Sequence, residues 1–137
     1  MNPSDRKKKP KARILHVDDD PDVRLLMAGS LQEFGYLVVT AGTVAEALQL
    51  AQGMKFSLCI LDVRLPDGTG IELCQQLRDL QPDVPIVYYS AYADETSQQE
   101  ALSVCGDAYI KKPFSMQEWE KTIAGFLGPQ DSDSDPE

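Results

Sequence analysis

The chain has 137 residues, 42% of them hydrophobic, and its 22 acidic residues outnumber 13 lysines and arginines to give a formal net charge of −9 at pH 7. A chain of this length fits one domain with a sizeable core. No apolar window approaches the roughly 18 residues that predict a membrane span, and the basic start lacks the apolar stretch of a secretory signal. The acidic body argues against a direct nucleic-acid-binding face.

Charge divides the chain into three predicted regions. Residues 1–11 are a basic arm, residues 12–128 a folded domain, and residues 129–137 an acidic tail or the start of a linker. Terminal segments with such compositions are typically disordered. We therefore expect all the chemistry to lie in the middle region.

The cysteine content indicates the redox environment. Cys59, Cys74 and Cys105 are odd in number and far apart, and they form no CxxC pair. Neither a zinc site nor a disulfide framework is suggested by this spacing. We expect three buried free thiols in a reducing, cytoplasmic environment.

Strand and helix signals alternate along the folded region. In chain order the pattern predicts a strand at 12–17, a helix from 21, a strand at 36–40, a helix after 43, a strand at 57–61, a helix from about 70, a strand at 84–89, a helix at 94–104, a strand at 108–110 and a helix after 115. Asp20 and Pro21 indicate the first helix start, and Thr43/Glu46 and Ser115/Glu118 predict capping boxes. The alternation predicts an α/β fold, a flavodoxin-like doubly wound parallel sheet in the order 2-1-3-4-5.

Acidic residues directly follow two strands that this order makes neighbours. Asp18 and Asp19 come after the first strand and Asp62 after the third, and adjacent strands lie about 4.8 Å apart. Three carboxylates need a cation to share a pocket. We predict a magnesium site, with manganese as an alternative, in which Asp19 and Asp62 bind directly and Asp18 acts through water.

Two further polar residues reach the same edge of the predicted sheet. Ser90 ends the fourth strand, and Lys112 follows the fifth, within reach of Asp62. A carboxylate such as Asp62 can act as a nucleophile and form an acyl phosphate. Lys112 and the metal would neutralise charge on the transferred group, and the Ser90 hydroxyl would donate to a phosphoryl oxygen.

These motifs carry a resemblance to a known family. They are Asp18-Asp19, Asp62 with Leu65-Pro66-Asp67-Gly68-Thr69-Gly70, Ser90-Ala91 and Lys112-Pro113-Phe114. Over roughly residues 12–128 the chain resembles the receiver domain of two-component response regulators. The resemblance implies phosphorelay signalling, in which a histidine kinase or phosphotransfer protein phosphorylates Asp62.

The resemblance also implies roles for individual residues. Asp18, Asp19, Asp62 and the backbone carbonyl of Arg64 would hold magnesium, and Lys112 would precede a cis peptide bond. Ser90 and Tyr109 would act as the switch that reads out phosphorylation. The expected output is a changed surface of the fourth helix, fifth strand and fifth helix, and the expected activity is limited to the domain's own phosphorylation and dephosphorylation.

Alternatives remain open on this sequence alone. A metal-dependent phosphohydrolase with an aspartate nucleophile typically carries a second catalytic aspartate two residues later, where this chain has Arg64. The chain leaves no room for an output domain, so it is either a stand-alone regulator that docks on a target or a receiver from a longer protein. The oligomeric state is also open, since the polar helix from Asp94 and the helix of Trp119 could form either a dimer face or a partner face.

The lifetime of the phosphorylated state is predicted from two bulky side chains. Arg64 lies two residues after the acceptor, and Tyr92 lies two residues after Ser90. By the resemblance, both would flank the path of the attacking water, and neither is suited to orient it. We predict a long-lived phosphorylated state.

Overall fold

The computed structural model describes residues 12–92 and 94–128, so the predicted basic arm and acidic tail lie outside the described residues. Strands and helices alternate in this part of the chain. The elements are β1 (Arg13–Val17), α1 (Pro21–Glu33), β2 (Leu37–Ala41), α2 (Val44–Gly53), β3 (Leu58–Leu61), α3 (Gly70–Leu80), β4 (Ile86–Ser90), α4 (Glu95–Val104), β5 (Ala108–Lys111) and α5 (Met116–Leu127).

The five strands form one sheet in the order β2-β1-β3-β4-β5, and all its pairings are parallel. This confirms the predicted doubly wound α/β fold and its strand order. In the register of β1 with β3, Val17 lies opposite Leu61. The residues that follow these two strands therefore leave the sheet side by side, at its carboxyl edge.

Apolar side chains on the two faces of the sheet form two core clusters. Leu15 and Val17 contribute to the cluster under α2, α3 and α4, whereas Ile14 contributes to the cluster under α1 and α5. The alternation of side chains along a strand places these neighbours on opposite faces. Among the described residues, no helix is both long enough and apolar enough to span a lipid bilayer.

The helix starts follow local capping chemistry. Asp20 caps α1 by accepting from the Asp22 amide at 2.9 Å, and the predicted capping box of α5 at Ser115 and Glu118 is present. The box predicted at the start of α2 is wrong in one bond, because the Glu46 carboxylate accepts from the amide of Gly42 and not from Thr43.

A capping box and a hairpin at the start of α3 were not predicted. Thr69 and Glu72 form the box, although its Thr-x-x-Glu pattern is visible in the sequence. Just before it, Arg64–Leu65 pairs antiparallel with Gly68–Thr69. The segment that follows Asp62 is thus a hairpin joined directly to a well-capped helix.

The expectation of three free thiols is wrong. Cys74 on α3 and Cys105 at the end of α4 form a disulfide, with their Cα atoms 6.1 Å apart, and Cys59 is the free, buried cysteine. The pair is separated by 31 residues in sequence. Their proximity arises from the packing of α3 and α4 on the same face of the sheet, which cysteine spacing alone does not reveal.

Candidate functional site

Three carboxylates meet at the carboxyl edge of the sheet. The Asp18 amide donates to the carbonyl of Ala41 at 3.0 Å, and the Asp62 amide donates to the carbonyl of Val17 at 2.9 Å. These bonds extend the parallel ladders by one residue. Oxygens of Asp18, Asp19 and Asp62 lie within 4.8 Å of one another. The structure therefore brings the three predicted metal ligands together.

Lys112 lies between two of these carboxylates. Its Nζ is 2.7 Å from Oδ2 of Asp18 and 3.2 Å from Oδ2 of Asp62. Burial lowers the pKa of Lys112, but the hydrogen bond to Asp18 and the charges of Asp62 and Asp18 outweigh burial and raise it overall. The peptide bond to Pro113 is cis, as the resemblance implied. One ammonium against three carboxylates leaves a local excess of negative charge, which fits a divalent cation.

The position of Asp18 is fixed from two directions. Its side chain is almost completely buried and accepts from the Asp20 amide through Oδ1 at 2.9 Å. Its backbone carbonyl accepts from Nη1 of Arg24 at 2.7 Å. A Cβ at Gly42 would lie 2.9 Å from the same guanidinium nitrogen, so Gly42 leaves room for it. No motif in the sequence indicates this role of Arg24, because only the turn of α1 brings it back over the end of β1.

The loop after Asp62 is fastened to a neighbouring helix by Asp67. Its two carboxylate oxygens accept from the amides of Val44 and Ala45 at 2.7 and 3.0 Å, at the start of α2. The hydrogen bonds from Ala45 and Val44 lower the pKa of Asp67. Asp67 thus caps a helix that begins 23 residues earlier, which no local pattern predicts.

Gly70 holds the other end of this loop against the end of β3. Its amide donates to the carbonyl of Val63 at 2.8 Å. A Cβ on Gly70 would overlap the carbonyl oxygen of Asp62. Only glycine permits this approach, so the backbone of Asp62 and the start of α3 are packed directly against each other.

Ser90 and Tyr109 meet at the loop between β4 and α4. Ser90 is completely buried, and its Oγ accepts from the Tyr92 amide at 3.3 Å. The Tyr109 hydroxyl donates to the carbonyl of Tyr92 at 2.7 Å, and its ring lies 5.6 Å from that of Tyr88. Burial raises the pKa of Tyr109. The Tyr109 hydroxyl is therefore already bound to the loop that carries Ser90.

Two exposed side chains from different loops stack on each other. The guanidinium carbon of Arg64 lies 3.8 Å from the centroid of the Tyr92 ring, within cation–π range. Arg64 follows β3 and Tyr92 follows β4. The stack therefore links the loop of Asp62 to the loop of Ser90.

An aromatic cluster connects Lys112 to α5. The Lys112 Nζ lies 5.3 Å from the centroid of the Tyr89 ring, and Tyr89 packs edge-to-face on Trp119 with centroids 5.0 Å apart. Phe114 packs on the same indole at 5.3 Å. Trp119, the only tryptophan of the chain, is completely buried. Its fluorescence can therefore report changes around Lys112.

Comparison with known families identifies one match. Residues 14–124 match the response regulator receiver domain. The alkaline phosphatase synthesis transcriptional regulatory protein PhoP of Bacillus subtilis is 37% identical over 115 residues, which is 84% of this chain and 48% of that protein. The chain spans about half the length of the curated relatives it matches.

Solved structures agree with this match. The chemotaxis protein CheY4 of Vibrio cholerae is 32% identical and has a TM-score of 0.81, covering 86% of this chain and 100% of that one. A Burkholderia pseudomallei response regulator, 31% identical with a TM-score of 0.76 over 85% of this chain and 66% of that one, was solved with a phosphorylated aspartic acid, a calcium ion and citrate. Nothing in these comparisons supports the phosphohydrolase alternative.

Proposed function

The chain belongs to the family of response regulator receiver domains, and from this premise we propose that Asp62 is its phosphoacceptor. Receiver domains are signalling domains, and we expect the activity of this one to be limited to its own phosphorylation and dephosphorylation. The observation that carries the proposal is the position of Asp62 at the end of β3, with Asp18, Asp19 and Lys112 around its carboxylate. This arrangement provides a nucleophile, an ammonium that can stabilise a transferring phosphoryl group, and two further carboxylates that can hold a cation for the same purpose.

The chemical step follows from these contacts. A carboxylate oxygen of Asp62 attacks phosphorus, the new P–O bond forms as the bond to the donor histidine nitrogen breaks, and the imidazole leaves. The Lys112 ammonium already bonds to Oδ2 of Asp62, so it can move onto a phosphoryl oxygen without a long displacement. The buried Ser90 hydroxyl lies at the next strand end and can donate to a second oxygen.

The cluster formed by the carboxylates of Asp18, Asp19 and Asp62 fits a divalent cation, and we assign the site to magnesium, with manganese as an alternative. Asp19 and Asp62 would bind directly, Asp18 through water, and the backbone carbonyl of Arg64 would be a third protein ligand. When bound, the ion neutralises negative charge between the carboxylates and the phosphoryl oxygens. The calcium ion of the Burkholderia relative supports a divalent ion in this family.

Magnesium binding has a direct thermodynamic test. An ion that binds only the folded chain raises its melting temperature by mass action. We expect millimolar magnesium to stabilise the wild type and to leave Asp19→Asn almost unchanged. An equal rise in melting temperature in both proteins would show that Asp19 is not a ligand. No rise in either protein would reject the magnesium site.

The proposed output is a change at the surface formed by α4, β5 and α5. Ser90 bonds to the backbone of Tyr92, and Tyr109 on β5 bonds to the same residue. If a phosphoryl group on Asp62 draws the Ser90 hydroxyl away, both contacts to Tyr92 must readjust. Two packings of this loop would then differ in population, driven by bonds that only the phosphorylated form makes.

The partners are proposed from the family. A histidine kinase or phosphotransfer protein would supply the phosphoryl group in the cytoplasm. The output surface would act on an attached output domain, on a separate protein or on a second copy of the chain. The relative PhoP is a transcriptional regulatory protein, and this favours an output that ends in gene regulation.

The acceptor assignment is tested by labelling with a small acyl phosphate such as acetyl phosphate. We expect wild type to incorporate a single phosphoryl group and Asp62→Asn to incorporate none. Asp79→Asn, an exposed carboxylate on α3, is the matched control and should label like wild type. Full labelling of Asp62→Asn would reject the assignment, and sustained phosphate release from a phosphate ester would favour a hydrolase.

A further inference from the structure

A covalent bond joins α3 to the end of α4. Cys74 lies on the buried face of α3 and is completely buried, whereas Cys105 is the half-buried residue that ends α4. The two are 31 residues apart and form a disulfide. The bond spans the boundary between the helix that follows the acceptor loop and the helix of the proposed output surface.

A second, non-covalent link lies beside the disulfide. Arg78, one turn after Cys74, forms an ion pair with Asp107, two residues after Cys105. Asp107 also accepts from the Ile86 amide at 2.8 Å. This link holds the turn before β5 against α3 and β4 by itself. These contacts of Asp107 remain when the disulfide is reduced, so we expect the reduced chain to stay folded.

The disulfide is the strongest attachment of an otherwise weakly packed helix. Ala101 is the only buried residue among the described residues of α4. The carbonyl of Cys105 accepts from the Tyr88 hydroxyl at 2.7 Å, and the Tyr88 ring lies against Tyr109. The disulfide at Cys105 therefore restrains α4 and, through Tyr88, also Tyr109, the tyrosine of the proposed switch.

We propose that Cys74 and Cys105 form a reversible thiol–disulfide exchange site whose redox state sets the mobility of residues 95–111, the α4–β5 segment. The disulfide holds this segment against α3. After reduction, the weaker ion pair between Arg78 and Asp107 remains to hold it there. The proposal about mobility stands on the contacts of α3 and α4. Only its consequence for signalling rests on the proposed function of Asp62.

The exchange reaction balances with a small thiol or disulfide as co-reactant. An external thiolate attacks a sulfur of the bridge, forms a mixed disulfide and releases one thiolate; a second external thiol then frees the other cysteine and leaves as a disulfide. The external thiolate reaches the disulfide from the side of Cys105, because Cys74 is completely buried. Cys59 takes no part, since burial raises the pKa of its thiol to about 12. Disulfides in reducing compartments are usually transient or redox-sensing, which fits such a site.

The experiment measures hydrogen–deuterium exchange by mass spectrometry on the full chain, in dithiothreitol and in glutathione disulfide. Intact mass after alkylation of the unfolded chain counts the free thiols in each state. We expect one free thiol when oxidised and three when reduced, with exchange in the α4–β5 segment roughly tenfold faster on reduction. The rest of the chain should exchange as before.

Two variants complete the test. Cys59→Ala should keep the full redox response, whereas Cys105→Ser should exchange rapidly in both reagents. The proposal is overturned if dithiothreitol cannot open the bridge in the native chain. It is equally overturned if opening leaves exchange in the segment unchanged.

Acetyl phosphate labelling under both conditions separates this proposal from the proposed function. We expect Asp62 to be labelled in both redox states. Labelling should change hydrogen–deuterium exchange in the α4–β5 segment more in the reduced chain than in the oxidised chain. If Asp62 takes no label while the redox response persists, the acceptor assignment fails and the exchange site stands. If phosphorylation changed exchange in the α4–β5 segment equally in the oxidised and reduced chains, the disulfide would not limit the switch.

Discussion

Helices α3 and α4 lie on the same face of one sheet, but they are held in very different ways. α3 buries Gly70, Leu73, Cys74 and Leu77 and begins with a complete capping box. Among the described residues of α4, only Ala101 is buried. Most of the stability of a helix in a protein comes from its packed face. The chain thus pairs a firmly packed helix with one that can shift at low cost once the disulfide at its end is reduced.

The difference matches the two tasks that the site requires. The proposed acceptor Asp62 would have to keep its geometry relative to the proposed metal ligands, and Gly70 and Asp67 fix its loop to α3 and α2. The proposed output surface would instead have to change when Asp62 is phosphorylated. Low-stability elements are the ones that move in such switches, and this makes α4 the moving part.

The largest expected effect compares one leucine from each helix. Leu77→Ala removes a completely buried side chain of α3 and should lower the free energy of unfolding by about 2–5 kcal/mol. Leu102→Ala, in α4, changes a side chain that is 38% exposed and should cost no more than about 0.5 kcal/mol. Urea denaturation of both variants measures this. Equal losses would show that the two helices are packed alike.

A pair of glycines tests how tightly α3 supports the acceptor. Gly70→Ala forces a Cβ into the carbonyl of Asp62 and should cost about 1–3 kcal/mol. It should also slow labelling of Asp62. Gly125→Ala, in α5, meets no atom within 4 Å and should stabilise by about 0.5–1 kcal/mol. Normal stability and labelling in Gly70→Ala would mean that this close approach is unimportant.

The coupling between the acceptor and α4 is tested at Ser90. Ser90→Ala should still be phosphorylated on Asp62. Phosphorylation should then change hydrogen–deuterium exchange in the α4–β5 segment much less than in wild type, because the hydroxyl that connects the phosphoryl group to the loop is gone. Ser103→Ala, an exposed serine on α4 whose hydroxyl donates to the Glu100 carbonyl in the same helix, is the control. A full response in Ser90→Ala would contradict the coupling.

The smallest effect concerns the lifetime of the label. The Arg64–Tyr92 stack lies across the loops of Asp62 and Ser90, so it should restrict the water that hydrolyses the acyl phosphate. After removal of the donor, the double variant Arg64→Asn, Tyr92→Ala should lose its label several times faster than wild type. Equal or slower loss would show that water reaches the phosphorus by another route.

The fold and the family could be predicted from the sequence because their signals are local. Apolar runs, turn residues and caps marked each element, and the strand order followed from their alternation. The resemblance to receiver domains is confirmed by the match over residues 14–124. The acidic groups could be placed together because parallel strands end at one edge.

Interactions between distant segments could not be predicted in the same way. The Cys74–Cys105 disulfide and the cap that Asp67 provides for α2 both join residues more than twenty positions apart. No periodicity encodes them, since they depend on how two loops or helices approach in three dimensions. The roles of Asp62, Ser90 and Tyr109 remain proposals that labelling and exchange experiments must decide.

The difference in mobility between α3 and α4 is tested by hydrogen–deuterium exchange of the reduced chain before and after phosphorylation. We expect a change in the α4–β5 segment, little or no change in α3, and no change anywhere in Asp62→Asn treated with the same acyl phosphate. A change of similar size in both helices, or an unaltered α4–β5 segment on a fully labelled chain, would contradict it.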